Sequence, residues 1–414
     1  MYLYTIVCLL ISSPPLHCSF KARFSCFSLS ITADLSKATQ NNMSEVVEDR
    51  ISNLPGSILH HILSFVGTRN AARTCVLFKR WMYIWRSIPI LKFQNYNSWK
   101  ADTFIDFVDK TLEFHDESNI KEFSLSSDAY LDEPRIQKWI STVLSHNVED
   151  FSLRLNQSDG VPMPSSFYTC ESLTSLRLLS STVSCFPKYI SFPRLERFIL
   201  TGVKFRDECW NEQLFSNCPV LRFLGVAFCT RSDMKNFCIS NPALKDVDIM
   251  NPEKGGYGFP NCALKIDAPN LETLTYMGRV AKDYVLSSFP TLVKATVDFS
   301  FEEYGAMWEQ DIAYGAVACK FLQALAHVMY LKISDRTLQV LSVADDLLNN
   351  LPSYHNLHNL ILTQEVTADK AVIVLLEKAP NLVSLDFEVF YPPDPDEEED
   401  KDEDVGDDGG KDNH

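Results

Sequence analysis

The sequence predicts an α/β protein in which a small module of three helices precedes a long solenoid of stacked repeats, followed by a disordered acidic tail. A spaced apolar pattern begins eleven times between residues 120 and 382, and nine of the ten intervals lie between 21 and 29 residues. Residues 48–93, which come before it, contain three short segments with apolar side chains at helical spacing. These observations indicate one elongated core with a curved parallel sheet.

Composition and charge exclude several classes of protein. The chain has 414 residues, of which 46% are hydrophobic, so most of it can fold around an apolar core. Its formal net charge is -16, and phosphate backbones and anionic lipids repel a chain of that charge. We therefore expect neither a nucleic acid nor a membrane among its partners.

The two ends of the chain differ in composition from the part between them. Residues 1–47 hold a short apolar run followed by two prolines, and we expect a disordered extension there. Translation from Met43 would remove nearly all of it; a secretory signal is the alternative, although no Lys or Arg precedes the run. Residues 392–414 hold twelve acidic residues and two lysines, so this tail repels itself and we expect disorder.

The twelve cysteines are scattered, and no two of them form a C-x-x-C pair. Zinc-ribbon and thioredoxin-like sites therefore have no support. Single thiols of this kind fit a reducing compartment. We expect an intracellular protein, in the nucleus, the cytoplasm or both.

The helical module is expected to span residues 48–93. Asn53 is a capping residue for its first helix, and Pro55 suits the first turn, where its missing N–H is not needed. Gly67 ends the first helix, and a second starts near Asn70. Pro89 ends a third that carries two tryptophans. Three helices this short bury little among themselves, so part of their apolar surface is expected to lie against the next domain or a partner.

The residues of this module are similar to an F-box of the plant F-box/leucine-rich-repeat family. The resemblance rests on the order Leu54-Pro55, Ile58-Leu59, Ile62-Leu63-Ser64-Phe65, Val76-Leu77 and Lys79-Arg80-Trp81. F-box modules bind the Skp subunit of Skp/cullin/F-box ubiquitin ligases, so the resemblance implies a Skp-family adaptor as partner and, through it, the cullin/RING core. Carried over by position, the apolar contacts would come from Leu54, Pro55, Ile58, Leu59, Ile62, Leu63, Val76, Leu77, Trp81 and Trp85.

The module departs from the family pattern at four positions. The family usually has an acidic residue where Gly56 stands, Pro at Gly67, Asp at Asn70 and Ser at Phe78. The two glycines are expected to loosen the first helix and the following turn by about 1 kcal/mol each at most. Binding weaker than is typical of the family would follow.

Residues 94–353 are expected to form the repeat array, and residues 354–391 its last repeats. A helix is predicted near residues 103–113, after which apolar residues recur at positions i, i+3 and i+5 with the spacing of leucine-rich repeats. The pattern starts at Ile120, Val148, Leu173, Leu195, Leu221, Leu244, Leu271, Leu292, Val328, Leu357 and Leu382. Six of these starts have a proline two residues earlier, at positions 193, 219, 242, 269, 290 and 380.

Each repeat is expected to contribute one strand whose two later apolar side chains point inward while alternate residues point outward. The longest interval contains a helical pattern over residues 311–327, which we expect behind the sheet. Residues 354–387 are similar to the opening of the FBD module that often follows the repeats in this family.

Outward positions are the expected contact surface for a protein target. They show no dominant charge or residue type, so the class of target cannot be inferred from them. They include Asp150, Ser152, Arg154, Arg197, Asp246, Asp248, Lys294, Thr296, Asp298, Tyr330, Lys332, Asp386 and Glu388.

Common catalytic and nucleotide-binding signatures, such as G-x-S-x-G, H-E-x-x-H and G-x-x-x-x-G-K-[ST], are absent from the sequence. We expect no catalytic residue, no cofactor and no metal. The leading hypothesis is a non-catalytic adaptor of a ubiquitin ligase, with the helical module on the Skp subunit and the repeats on a target. The alternative is an intracellular repeat scaffold with no ligase role.

Overall fold

The computed structural model describes most of the chain between residues 54 and 388. The described ranges are 54–74, 81–95, 100–156, 161, 163–179, 187–205, 210–231, 235–251, 262–300, 308–343, 345–363 and 367–388. The predicted extension of residues 1–47 and the acidic tail of residues 392–414 lie outside them.

Three short helices begin the described part of the chain, as the sequence predicts. A 3-10 turn, Trp85–Ser87, follows the third of them. Gly67 has a φ of 71°, in the left-handed region that glycine adopts without strain, and this conformation separates the first two helices. The helices of the described residues are α1 Gly56–Phe65, α2 Gly67–Arg73, α3 Trp81–Ile84, α4 Ala101–Phe114, α5 Glu133–Ser145, α6 Trp308–Gln323, α7 Asp335–Leu341, α8 Asp345–Asn349 and α9 Asp369–Glu377.

Twelve parallel strands in chain order form the main sheet, β1-β2-β3-β4-β5-β7-β10-β12-β14-β15-β16-β17. A second sheet has the order β13-β11-β9, and β6 pairs with β8. The strands are β1 Ile90–Asn95, β2 Glu122–Ser127, β3 Asp150–Leu155, β4 Ser175–Leu179, β5 Arg197–Thr201, β6 Lys204–Phe205, β7 Phe223–Ala227, β8 Thr230–Arg231, β9 Asn236–Ser240, β10 Asp246–Asn251, β11 Ala263–Asp267, β12 Thr273–Arg279, β13 Asp283–Leu286, β14 Lys294–Ser300, β15 Tyr330–Ser334, β16 Asn359–Thr363 and β17 Ser384–Glu388.

The eleven repeats predicted from the sequence are confirmed. Each predicted start lies two residues before a strand of the main sheet, from Ile120 before β2 to Leu382 before β17. In β3, for example, Phe151 and Leu153 are fully buried, whereas Ser152 between them is not. The period-2 alternation of a strand therefore places two apolar residues of each repeat except the last in the core.

The recurrent prolines occupy tight turns at the start of each strand. The backbone N–H of Leu195 donates to the carbonyl of Phe192 at 3.2 Å, and that of Leu271 donates to the carbonyl of Ala268 at 3.1 Å. The proline is thus the second residue of a four-residue turn, where its fixed φ is already correct. The residue before the proline is buried in both cases. Each turn therefore also anchors to the core the return segment, which is the part of the chain between one strand of the main sheet and the next.

One strand of the main sheet was not predicted. β1 pairs with β2 in parallel register, Leu91 opposite Phe123. Its buried residues Leu91 and Phe93, together with Ile88 two residues before the strand, have the same i, i+3, i+5 spacing as the later repeats. All three fall within residues 48–93, which were predicted to form the helical module. The array therefore starts one strand earlier than the sequence analysis indicates.

Return segments cover the buried side of the main sheet and change character along the array. The predicted helices near residues 103–113 and 311–327 are confirmed as α4 and α6. Between α5 and α6 the second sheet, which was not predicted, takes the place of α-helices. Its core side chains include Phe237, which stacks on Trp210 with ring centroids 4.3 Å apart.

The two ends of the main sheet are covered to different degrees. At the first strand, α2 packs against β1, and the hydroxyl oxygen of Thr68 accepts a hydrogen bond from the backbone N–H of Lys92 at 2.6 Å. At the last strand, Phe387 is 59% exposed, although its register partner Leu362 on β16 is fully buried. The described residues leave the β17 edge open.

Candidate partner-binding surfaces

Helix α1 has one apolar side in the core and another in solvent. Leu59 and Leu63, one turn apart, are buried in the core. Ile58 and Phe65, seven residues apart, are 44% and 76% exposed. Positions i and i+7 lie on one face of a helix, so these two side chains, with the partly buried Ile62 between them, form an exposed apolar stripe that no described residue covers.

The ten contact residues predicted from the F-box resemblance fall into four groups. Four of them, Leu59, Leu63, Trp81 and Trp85, are buried in the core of the module. Leu54 and Ile62 are partly buried against the same core, whereas Pro55 and Ile58 are exposed. Val76 and Leu77 lie outside the described residues. The contact of all ten with a partner stays a prediction.

Two exposed aromatic residues of the module were not among those ten. Phe65 lies on the exposed stripe of α1, where His61 meets its ring edge-on at 4.8 Å between ring centroids. Tyr83 on α3 is also exposed. Helical spacing from Ile58 is enough to find Phe65, whereas nothing in the sequence separates Tyr83 from a core position.

The module is tied together by a polar contact behind the stripe. Nε2 of His60 lies 3.0 Å from the hydroxyl oxygen of Ser87, which joins α1 to the 3-10 turn. The Ser87 hydroxyl also lies 3.2 Å from the carbonyl oxygen of Ile84. This contact holds α1 in a fixed orientation on the rest of the module.

The second candidate surface is the outward face of the main sheet, called the open face below. Because the strands are parallel and in register, their outward side chains form three rows across the sheet. The middle row runs from Lys92 on β1 through Ser152 on β3 and Asp248 on β10 to Asp386 on β17. The outward orientation of all thirteen residues predicted from the sequence is confirmed, and their contact with a target stays a prediction.

Ion pairs neutralise many charges near the two ends of the open face. Arg177 donates to both carboxylate oxygens of Asp150, at 2.8 and 2.7 Å. Lys92 pairs with Glu122 at 2.8 Å, and Lys332 pairs with Glu388. Half-exposed pairs of this kind contribute little to stability, but they remove free charge from the surface.

Two cations of the first outward row lie over aromatic rings. The guanidinium of Arg197 is 4.3 Å from the ring centroid of Phe223, and the ammonium of Lys294 is 5.2 Å from that of Tyr330. Both distances are within the range of a cation–π interaction. These contacts hold the two long side chains against the sheet.

The carboxylate of Asp248 is in a less favourable environment. Burial is the main cause that raises its pKa above the ordinary value, and neighbouring Asp246 adds to the effect. A hydrogen bond with the Thr275 hydroxyl and the charges of Arg197 and Lys294 offset this only in part. Within the described ranges no cation lies within ion-pair distance of Asp248.

The part of the chain that the structure describes holds neither a candidate metal site nor a candidate membrane span. No three side chains of His, Cys, Asp or Glu there are grouped so that they could hold a metal ion. No helix there has the length and apolar character needed to cross a bilayer.

Comparison with protein families identifies both parts of the chain. The F-box domain model matches residues 51–93, which include the exposed stripe. The family described as "FBD-associated F-box protein At5g56370, LRR repeats" matches residues 136–294, in the middle of the main sheet. The resemblance drawn from the sequence is confirmed.

Relatives from Arabidopsis thaliana match over most of their length. F-box/LRR-repeat protein 13 is 30% identical over 348 residues, which cover 81% of this chain and 76% of the relative. F-box/LRR-repeat protein At4g14103 is 31% identical over 361 residues, 82% of this chain and 91% of the relative. No solved structure matches the chain. With an F-box domain at the module and repeats along the sheet, the chain belongs to the F-box/leucine-rich-repeat family, whose members are typically non-catalytic adaptors.

Proposed function

We propose that the protein is a substrate-recognition adaptor of a Skp/cullin/F-box ubiquitin ligase. The observation that carries this proposal is the exposed stripe of α1, where Ile58 and Phe65 present apolar surface to solvent within an F-box domain. Large apolar side chains left uncovered on a small module favour a partner contact. F-box domains in general bind a Skp subunit, which fits such a stripe.

In this proposal the chain supplies proximity and no chemistry. The helical module binds the Skp subunit and, through it, the cullin/RING core, while the open face binds a protein target. Joining both partners on one rigid body raises the effective concentration of a target lysine near the ubiquitin-charged enzyme. The adaptor would act inside the cell, in the nucleus, the cytoplasm or both.

A binding experiment with a purified Skp subunit tests the proposal. We expect the double substitution Ile58→Asp and Phe65→Asp to weaken binding by at least about tenfold, because apolar anchors at an interface centre often contribute about 2 kcal/mol each. Both side chains are solvent-exposed, so the melting temperature should change little. Affinity is measured by calorimetry or surface plasmon resonance.

The matched control is Tyr130→Asp with Tyr189→Asp, which places the same charges at two exposed aromatic positions outside the module. We expect normal Skp binding from this variant. If the unaltered chain does not bind the Skp subunit while it still captures a target, the protein is a repeat scaffold without a ligase role, and the proposal is wrong.

A further inference from the structure

The open face carries an apolar patch at its centre, called the central patch. It is formed by Leu179, Ile199, Ala227, Met250 and Met277. In the third outward row, Leu179 lies opposite Thr201, then Ala227, Met250 and Met277 follow on successive strands. Towards β1 and towards β17, where ion pairs are frequent, the three rows have no equivalent run of apolar side chains.

Gly225 makes the central patch continuous. It stands in the middle row between Ile199 and Asp248, where every other strand from β4 to β14 carries a side chain. A Cβ atom at this position would lie 3.1 Å from Cε1 of Phe223 and 3.6 Å from Cγ1 of Ile199. The missing side chain lets these two apolar groups close over the backbone.

Met250 is the most accessible residue of the patch, and the exposed Phe228 directly follows β7 next to it. Phe228 is 44% exposed and has a φ of 52°, which is uncommon for an aromatic residue. Its N–H donates to the carbonyl of Met250 at 2.9 Å, so the backbone is held in this conformation. Met250 is 39% exposed. Strain at an exposed apolar residue is typical of functional surfaces, and methionine adapts its shape to different partners.

Carboxylates border the central patch on one side in its own rows. Asp248 lies beside Gly225, and Asp298 lies beside Met277 on the neighbouring strand. Neither carboxylate has an ion-pair partner among the residues that the structure describes. On the opposite side of the patch, Arg177 is neutralised by Asp150, and Arg154, which pairs with Asp128, lies beside Leu179. A cation brought to the carboxylate border would relieve the unfavourable environment of Asp248, which the charges of Arg197 and Lys294 offset only in part.

We propose that the central patch binds an extended segment of a protein target, with large apolar side chains on the patch and a Lys or Arg at the Asp248–Asp298 border. This names the class of target for the open face and rests on the proposed function as an adaptor. From β4 to β14 the segment crosses five strand spacings of about 4.8 Å, or about 24 Å, which about seven extended residues span. Acidic peptides and nucleic acids would be repelled by the same carboxylates.

The test uses the full-length protein and a displayed library of random ten-residue peptides. We expect the enriched peptides to contain two or more large apolar residues next to a Lys or Arg. For a peptide chosen from this set, replacing its basic residue by Glu should weaken binding by at least about tenfold. Enrichment of acidic peptides, or of none, would overturn the proposal.

Two variants assign the binding to the patch. Met250→Lys should weaken binding of the chosen peptide by at least about tenfold, whereas Met329→Lys, the same change at a methionine of similar exposure outside the patch, should not. Asp248→Lys should shift the preference from the basic peptide to its Glu counterpart. Equal binding by Met250→Lys and the unaltered chain contradicts the proposal.

A parallel Skp-binding assay separates this proposal from the function on which it rests. All three variants should bind the Skp subunit as the unaltered chain does, because the open face and the stripe of α1 are separate surfaces. Patch-dependent peptide binding without Skp binding would refute the ligase role alone. Skp binding with patch-independent peptide binding would refute the central patch alone.

Discussion

The carboxylate of Asp335 is buried at the start of α7, yet it has a complete set of hydrogen-bond donors. One oxygen accepts from the backbone N–H groups of Thr367 and Ala368 at 2.9 and 3.1 Å. The other accepts from the Thr367 hydroxyl and the Gln339 side-chain amide, both at 2.7 Å. A buried charge is tolerated only with such partners, so Asp335 serves to fasten α7 to the start of α9.

Two buried cysteines give the protein a pH dependence above neutrality. Burial raises the pKa of Cys218 to about 11 and that of Cys229 to about 12, whereas an unfolded thiol ionises near about 8.5. Below that pH the thiols are protonated in both the folded and the unfolded protein, so the protein keeps the full stability that comes from burying them. As pH rises further, only the unfolded thiols ionise, so we expect the free energy of unfolding to fall by about 1 to 2 kcal/mol per thiol at pH 10.

Urea unfolding between pH 7 and 10 measures this effect. The double variant Cys218→Ala with Cys229→Ala is the control, because it removes both titrating groups. Small cavities should make it less stable at pH 7, but its stability should fall less steeply with pH. Equal slopes for the two proteins would show that other groups cause the loss.

At the scale of the strands, two residues that are equivalent in the sequence pattern differ in burial. Leu362 on β16 and Phe387 on β17 are the last apolar residues of successive repeats and lie opposite each other. We expect Leu362→Ala to lower the free energy of unfolding by about 2 to 5 kcal/mol, because it leaves a cavity in a closed core. Phe387→Ala should lower it by less than about 1 kcal/mol, since no described repeat covers that side chain.

Chemical denaturation of both variants decides whether β17 is the true end of the core. A large loss of stability from Phe387→Ala would mean that another part of the chain covers the β17 edge in solution. Each variant serves as the control for the other, because both replace an apolar side chain at the same register position of neighbouring strands by alanine. Hydrogen exchange should also be faster in β17 than in β16.

The repeat strands could be predicted from the sequence because their pattern is short and recurs. Ile120, Phe123 and Leu125 show the spacing that all later strands share, and each of these strands except β17 buries the two expected residues. The second sheet could not be predicted, since Phe237 on β9 and Leu264 on β11 belong to return segments with no common spacing. Their strands form only because neighbouring return segments run in parallel.

The candidate site on α1 was predictable as a helix but not as a surface. Ile58 and Leu59 are adjacent, equally apolar and both part of the F-box resemblance, yet only Leu59 is buried. Which of the two faces the core depends on how α1 packs against α2 and against the 3-10 turn that holds Trp85. That orientation is a tertiary property, and helical spacing alone does not contain it.

At the scale of the whole molecule, the helical module and the sheet are joined by hydrogen bonds. Besides the contact of Thr68 with Lys92, the side chain of Arg86 donates to the carbonyl of Phe114 at 2.6 Å. The carbonyl of Arg86 accepts from the N–H of Asp116 at 2.9 Å. These bonds fix the stripe of α1 relative to the open face, which a rigid adaptor requires to place a bound target.

The variant Thr68→Val tests whether this joint is rigid because of its hydrogen bonds. Valine keeps the shape of the buried side chain but cannot accept from the N–H of Lys92, and we expect a loss of about 1 to 2 kcal/mol from the N-terminal part of the chain. Hydrogen exchange measured by mass spectrometry should become faster in α2 and β1. It should stay unchanged in β10 and β12, because each repeat contacts only its neighbours.

The control Thr103→Val makes the same change at an exposed position in α4 and should leave both regions unchanged. Faster exchange along the whole sheet in Thr68→Val would mean that the array unfolds as one cooperative body. If the change stays local, the joint can be loosened without disturbing the open face. In a reconstituted ligase, Thr68→Val should then bind the Skp subunit and the target normally but transfer ubiquitin more slowly, because the two bound partners no longer keep a fixed distance.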